Sequence, residues 1–289
     1  MNNVIKKGII FDGMARVAVI DIKGIVNEEI KIHDLSPLAA AALGRTMTVA
    51  AYLSNNLKDE NATFSVTING GGELGSIVAC GNGGNKIRGY VTNPRVELPL
   101  KVDGHLDVGQ GVGKNGFITV IKDIGLKEPY VGRCSLVSGE IAEDFTKYLY
   151  TSEGIRSSVA LGVLTDKDGC EAAGGVIVEA LPGINDAELC MLEDVMLNFT
   201  SVSSVLKEKS VEEIFDFYFG HLNATAYDAE EVVLTCNCSA EKIEQTLRSI
   251  GKEECDAIIG EVGKIEVVCH FCEKKYVYDK EEVAKLWQS

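Results

Sequence analysis

Four cysteines carry the clearest chemistry in this 289-residue chain. Cys236 and Cys238 stand one residue apart, thirty residues pass, and Cys269 and Cys272 follow as a C-x-x-C pair. Two close pairs, each offering two sulfurs, form a pattern that holds tetrahedral zinc. Four thiolates fill the metal's coordination sphere and leave no open position for a reactive water. The set therefore predicts a structural or regulatory zinc, one per chain, and argues against zinc hydrolysis. The same sulfurs are redox groups. Metal-bound thiolates are deprotonated, thiolates are what oxidants attack, and oxidation to disulfides removes the ligands. The tight C-x-C spacing fits a pair able to oxidise as well as to hold metal. His270 and Cys255 compete as ligands. His270 lies inside the C-H-F-C turn, where the flanking sulfurs are better placed to converge. Cys255, among Glu253, Glu254, Ile258 and Ile259, reads as a half-buried helical thiol, with a resolving role during oxidation as the alternative.

Other residues with chemical capacity form no comparable set. The stretches INGGGELGS and CGNGGNK lack the Lys-Ser/Thr ending of a phosphate loop and read as hairpin turns. Ser138 is not on a nucleophile elbow, and His33, His105 and His221 are far apart. The C-H-F-C element lacks the βαβ surroundings of a thioredoxin-like centre. Cys80, Cys134, Cys170 and Cys190 are scattered and read as buried or half-buried inert thiols. These observations predict a protein that is not an enzyme.

The bulk composition narrows the partners. At 46% hydrophobic and 25% charged the chain is a folded globular protein long enough for more than one domain. A net charge of -15 repels phosphate backbones, so nucleic acid is excluded as a general partner. The N-terminal apolar stretch is interrupted by Asp12 and Arg16, and no segment approaches a membrane span. Nine cysteines, an odd number, argue against a fully paired extracellular framework. A cytoplasmic protein without membrane contact is expected.

The elements that must position these groups fall into three segments. Residues 1–180 predict an α+β core of mixed sheet and helix. ARVAVI and ATFSVTI have strand composition, with Phe64, Val66 and Ile68 alternating as a half-buried strand does. SPLAAAALGRTMTVAAYLSNNL reads as a long helix lying against a sheet, capped by Ser36 with Pro37 at its first position. FITVIKD, SSVALGVLT and AGGVIVEAL are further strands, and SGEIAEDFTKYLYTSE is a helix.

Residues 181–231 predict a helical linker. Leu189, Leu192, Met196, Phe199, Val202 and Leu206 form one helical stripe. Ser210 and Glu213 then fit a capping box for a second helix, in which Phe215, Phe217, Tyr218 and Phe219 crowd together. This cluster packs as core or uncovers aromatic surface when its contacts are withdrawn. With Phe199, its members are the candidate residues for binding an apolar partner. Residues 232–289 predict a small zinc-binding domain. Ser239 caps a helix carrying Ile243, Leu247 and Ile250, Gly251 stops it, and a shorter helix carries Cys255. KIEVVCHFCEKKYVY folds as a hairpin, and a last helix turns Val283, Leu286 and Trp287 inward. So few apolar residues call for a staple.

The tail from CNCSAEKIEQ to VVCHFCEKKYVY resembles the Hsp33 family of redox-regulated chaperones. GSIVACGNGGNKIRGYVTNP and VGKNGFITVIKDIGLKEPYVGRCSLVSGEIAEDFTKYLYTSE extend the resemblance over nearly the whole chain. It implies zinc ligation by Cys236, Cys238, Cys269 and Cys272 in a reduced, idle form. It implies disulfides Cys236–Cys238 and Cys269–Cys272 on oxidation, zinc release, unfolding of the tail and destabilisation of the linker. Apolar surface then opens, the protein dimerises, and unfolded clients are held without ATP. Cys80, Cys134, Cys170, Cys190 and Cys255 lie outside the family's four-cysteine pattern. Two other readings compete. A zinc-stabilised interaction protein would gain nothing on oxidation, and a thiol-disulfide oxidoreductase would turn over catalytically.

Overall fold

The long alanine-rich helix organises the larger part of the molecule. The computed structural model describes residues 3–166 and 168–287. The chain divides into two compact units, Met1–Thr235 and Cys236–Ser289. In chain order the first contains β1 (Val4–Ile10), β2 (Ala15–Asp21), α1 (Lys23–His33), α2 (Pro37–Asn56), β3 (Thr63–Asn69), β4 (Ile77–Asn82) and β5 (Lys86–Val91). It continues with α3 (Val108–Val112), β6 (Phe117–Asp123), β7 (Tyr130–Ser135), α4 (Ile141–Glu153), β8 (Arg156–Asp166) and β9 (Gly169–Ala180). Three helices follow, α5 (Asp186–Met196), α6 (Val202–Glu208) and α7 (Val211–Phe219), then three short strands, β10 (Thr225–Ala226), β11 (Glu230–Glu231) and β12 (Val233–Leu234).

The α2 helix starts as its sequence dictates. Ser36 Oγ accepts the Ala39 N–H at 3.1 Å, and Pro37 occupies the first turn, where no donor is missed. The run Ala39–Ala42 lets both sheets approach closely, so the helix is buried around nearly its whole circumference. The first sheet has the order β10-β1-β2-β9-β8, with β11 also on β1, and is antiparallel throughout. The second has the order β12-β5-β4-β3-β6-β7 and is antiparallel except for the parallel β12–β5 pair.

Strand alternation gives the first sheet two apolar faces. Ala18, Ile20, Ala173 and Ile177 join α2 and the β3 residues Phe64, Val66 and Ile68 in the main core. Their neighbours Val17, Val19, Ala172, Val176 and Val178 face the other way, into a second core made with α5, α6 and α7. The segment 181–231 is thus the lid on one face of the sheet. Its stripe does not lie on one straight helix as the spacing predicts. A 3-10 turn at Leu197–Phe199 and the non-helical backbone of Ser201 break it, and the two parts meet at 73°. Leu192, Met196, Phe199, Val202 and Leu206 are nonetheless all buried. Helical spacing reads the buried side correctly and is blind to a bend that preserves it. The capping box opens α7: Ser210 Oγ accepts from Glu213 N–H at 3.2 Å, and the Glu213 carboxylate accepts from Ser210 N–H at 2.8 Å.

The second unit contains α8 (Ala240–Ile250), α9 (Lys252–Val262), the hairpin β13 (Ile265–Val268) and β14 (Lys275–Tyr278), and α10 (Lys280–Lys285). Ser239 caps α8, and Gly251, at φ 103°, ends it. Leu247, Cys255, Ile259, Ile265, Tyr276, Tyr278, Val283 and Leu286 make its core, with Ile243 and Trp287 packed at the margin. Among the described residues of the whole chain, no single helix is long and apolar enough to cross a membrane.

Candidate metal centre

Two local structures bring the four sulfurs together. Cys236 and Cys238 sit on the extended segment that leads into the Ser239 cap of α8. Cys269 and Cys272 sit in the turn that joins β13 to β14. In that turn the Cys269 N–H donates to Lys274 O at 3.0 Å, and Cys269 O accepts from Cys272 and Glu273 N–H at 3.3 and 2.8 Å. Glu273 takes the left-handed conformation, φ 56°, needed to reverse the chain so tightly.

The four Sγ atoms all lie within 4.8 Å of one another. Two approaches cross the pairs, Cys236 to Cys269 at 3.6 Å and Cys238 to Cys272 at 3.5 Å. Four sulfurs at ~2.3 Å from a tetrahedral zinc are about 3.8 Å apart, so the set fits a zinc-sized thiophilic ion. Among the described residues this is the only group of three or more His, Cys, Asp or Glu placed to share a metal. His270 is exposed and outside the group. Cys255, expected half-buried, is fully buried, with its Sγ 3.6 Å from Leu247 O. It fills the core that α8 and α9 share, where burial pushes its thiol up.

The sulfurs are electrostatically unequal. Burial pushes Cys238 up, but the Tyr276 hydroxyl, donating at 3.2 Å, and the surrounding thiols outweigh it and bring Cys238 down to about 7. Burial and the neighbouring sulfurs push Cys272 up to about 12, and burial also raises Cys236. One negative charge is easily accommodated in so close a group, and further ones require a cation. Tyr276 is the functional neighbour that motif spacing misses. Its signal is the hairpin register, in which Val267 opposes Tyr276 and places that ring beside the cysteine turn.

The five aromatic candidates separate sharply. Phe199, Phe215 and Phe219 are 2%, 1% and 0% exposed, Tyr218 is half-buried, and Phe217 is 67% exposed. Phe199 stacks on Phe219 with ring centres 5.9 Å apart, and Phe215 meets Phe219 at 6.0 Å. These three are the underside of the lid. Of the scattered thiols, Cys80, Cys134 and Cys170 are buried, and burial pushes Cys170 up to about 12. Cys190, expected to be at least half-buried, is exposed on α5, because it lies off the stripe that faces the sheet.

The chain as a whole matches known proteins. The family model described as Hsp33 protein matches residues 3–279. A 33 kDa chaperonin of Clostridium perfringens is 40% identical over 289 residues, spanning 99% of this chain and 92% of that protein. A 33 kDa chaperonin of Thermoanaerobacter sp. is 42% identical over 258 residues, spanning 89% of this chain and 88% of that one. The crystal structure of the 33 kDa chaperonin from Thermotoga maritima superposes with a TM-score of 0.92 at 34% identity, covering 99% of this chain and 98% of that one. With this fold, this cysteine cluster and a match over nearly its full length, the chain belongs to the Hsp33 family.

Proposed function

We propose that this protein is an oxidation-switched, ATP-independent holdase chaperone of the cytoplasm. Residues 1–180 would be its chaperone core, 181–231 a metastable linker and 232–289 the redox switch. The observation that carries the reading is the convergence of four thiols in a unit with few other buried residues. When bound, zinc would supply the charge that keeps all four sulfurs as thiolates and would tie the two ends of the unit together.

In the reduced state Cys236, Cys238, Cys269 and Cys272 hold the unit folded. With peroxide as the oxidant, two electrons leave each pair of thiolates. Cys236–Cys238 and Cys269–Cys272 then close as disulfides, two peroxides and four protons are consumed, and four waters leave. The sulfurs can no longer ligate, and the small unit loses its staple. The linker helices come away from the first sheet, uncovering Val17, Val19, Val176 and Val178 together with Phe199, Phe215 and Phe219. Unfolded clients and a second copy of the chain bind the exposed surface. The net charge of -15 keeps the opened molecule in solution. The protein turns over no substrate, since switching is stoichiometric.

The test is a titration with peroxide under mild heating, counting free thiols and released zinc and measuring suppression of client aggregation on the same samples. Loss of four thiols and one zinc at the point where protection appears is expected. Client protection that is unchanged after complete thiol oxidation and zinc loss would overturn the reading in favour of a zinc-stapled interaction domain.

A further inference from the structure

The outer edge of β1 is closed by the same segment that covers the sheet. Asn3 O and Lys7 O accept the Val232 and Tyr227 N–H groups, both at 2.8 Å, and Phe11 N–H donates to Leu222 O at 2.7 Å. With Ile5 opposite Glu230 and Ile9 opposite Thr225, the odd-numbered residues of β1 face outward and the even-numbered ones face β2. The backbone edge from Asn3 to Phe11 is thus occupied by residues 222–232.

That occupant is a weak one. It pairs in two pieces of two residues, interrupted at 227–229, and Thr225, Ala226, Glu230 and Glu231 are all exposed. Leu222 and Val232 anchor its two ends in the cores, and residues 225–231 between them contribute hydrogen bonds and almost no apolar burial. Yet beside it, on the lid side of the sheet, lie Ile10, Val17, Val19, Val176 and Val178. The lid reaches the edge itself: the Phe215 ring sits on Gly8, where a Cβ would stand only 2.4 Å from a ring carbon. One withdrawal therefore opens two adjacent features, a strand edge and an apolar face.

An open edge accepts any extended chain through its backbone, and alternate side chains of that chain fall on the same face of the sheet. We propose that the opened protein captures clients by strand addition to β1, the client replacing residues 222–232. This rests on the release of the linker proposed above and specifies the client class. The clients are extended segments with apolar residues at every second position, rather than helices or folded surfaces. A client strand of that kind would keep the hydrogen bonds that residues 222–232 make and add apolar contacts along the stretch 225–231, which lacks them.

The experiment follows amide hydrogen exchange in the full-length protein. The probe is a synthetic peptide of alternating valine and threonine between terminal lysines. In the reduced protein the Ile5, Ile9 and Phe11 amides are protected by residues 222–230; oxidation deprotects them while Lys6, Gly8 and Ile10 stay protected through β2. Adding the peptide restores protection at the three odd positions by about tenfold or more. The same peptide N-methylated throughout binds about tenfold more weakly or worse, having lost its donors. Equal binding of the methylated peptide, or a bound peptide that leaves Ile5, Ile9 and Phe11 exchanging freely, would overturn strand addition and leave linker release intact. Odd-position amides that stay protected in the oxidised, active protein would instead overturn the release itself.

Discussion

Residues 181–231 lay Leu192, Met196, Phe199, Val202, Leu206, Phe215 and Phe219 on a sheet face that supplies its own valines. The described residues of the cysteine unit, 236–287, gather eight buried side chains, of which one is a thiol and two are tyrosines. The lid is held by distributed apolar contact, at about 1.5–3 kcal/mol for each large side chain buried. The cysteine unit, in the metal-bound form proposed above, would depend on four atoms. Burial of the first kind is graded and insensitive to oxidants, while ligation of the second kind is all-or-none and can be erased chemically. A protein that must respond to an oxidant gains by placing the second kind of stabilisation in a unit whose loss leaves the main core standing.

Substitutions can break this contrast, and the largest effect is expected at the sulfurs. Cys269→Ser removes a ligand and forfeits most of a metal-linked folding energy of about 10–16 kcal/mol. The single tryptophan, Trp287, lies at the margin of that unit's core and reports on it alone. Its emission should shift to the red while the far-ultraviolet spectrum of the larger unit persists. Next comes Phe219→Ala, which leaves a hole beneath the lid at about 3–5 kcal/mol. The reduced protein should then bind an apolar-surface dye without any oxidant, and no increase in dye binding would mean that the lid is not the weak element. Ser210→Ala deletes one half of the α7 capping box, costing about 1 kcal/mol, read as a lower midpoint of denaturation.

A smaller effect concerns rate. With the proposed zinc bound, the sulfurs would already be thiolates, so the hydroxyl of Tyr276 would only withdraw electron density from Cys238. Tyr276→Phe should accelerate thiol loss to peroxide a few-fold, by about the same factor from pH 6 to pH 8. The smallest effect is Phe217→Ala, within about 0.5 kcal/mol in the reduced protein, because that ring is 67% exposed. Its neighbour two positions on is buried, so the pair measures how much of the aromatic cluster is underside and how much is surface.

Much of this arrangement was legible in the chain. Ser36 with Pro37, Ser210 with Glu213, and Ser239 with Gly251 mark helix ends through local hydrogen bonding, which sequence records directly. Phe64, Val66 and Ile68 alternate because one face of their strand is wet. The four cysteines are visible because ligand spacing is itself a local property. What escaped is non-local or lacks a period. The 73° bend after Phe199 leaves the stripe's spacing intact, and strands of two residues such as β10 and β11 have no alternation to detect. The exposure of Cys190 depends on which side of α5 meets the sheet. The hydroxyl of Tyr276 reaches Cys238 only through the hairpin's register.

The order of strands in the first sheet has a consequence for synthesis. Lys6 Nζ bonds Tyr227 O across 221 positions, and the whole edge of β1 waits for residues 222–232. At ~5–20 residues per second, a ribosome needs at least about ten seconds to deliver that closing segment. Until then the nascent chain carries a bare strand edge beside uncovered valines, and contacts this distant in sequence form slowly. Every copy of the protein thus passes through an adhesive infancy before its lid exists. A chain truncated before residue 222 would stay there permanently.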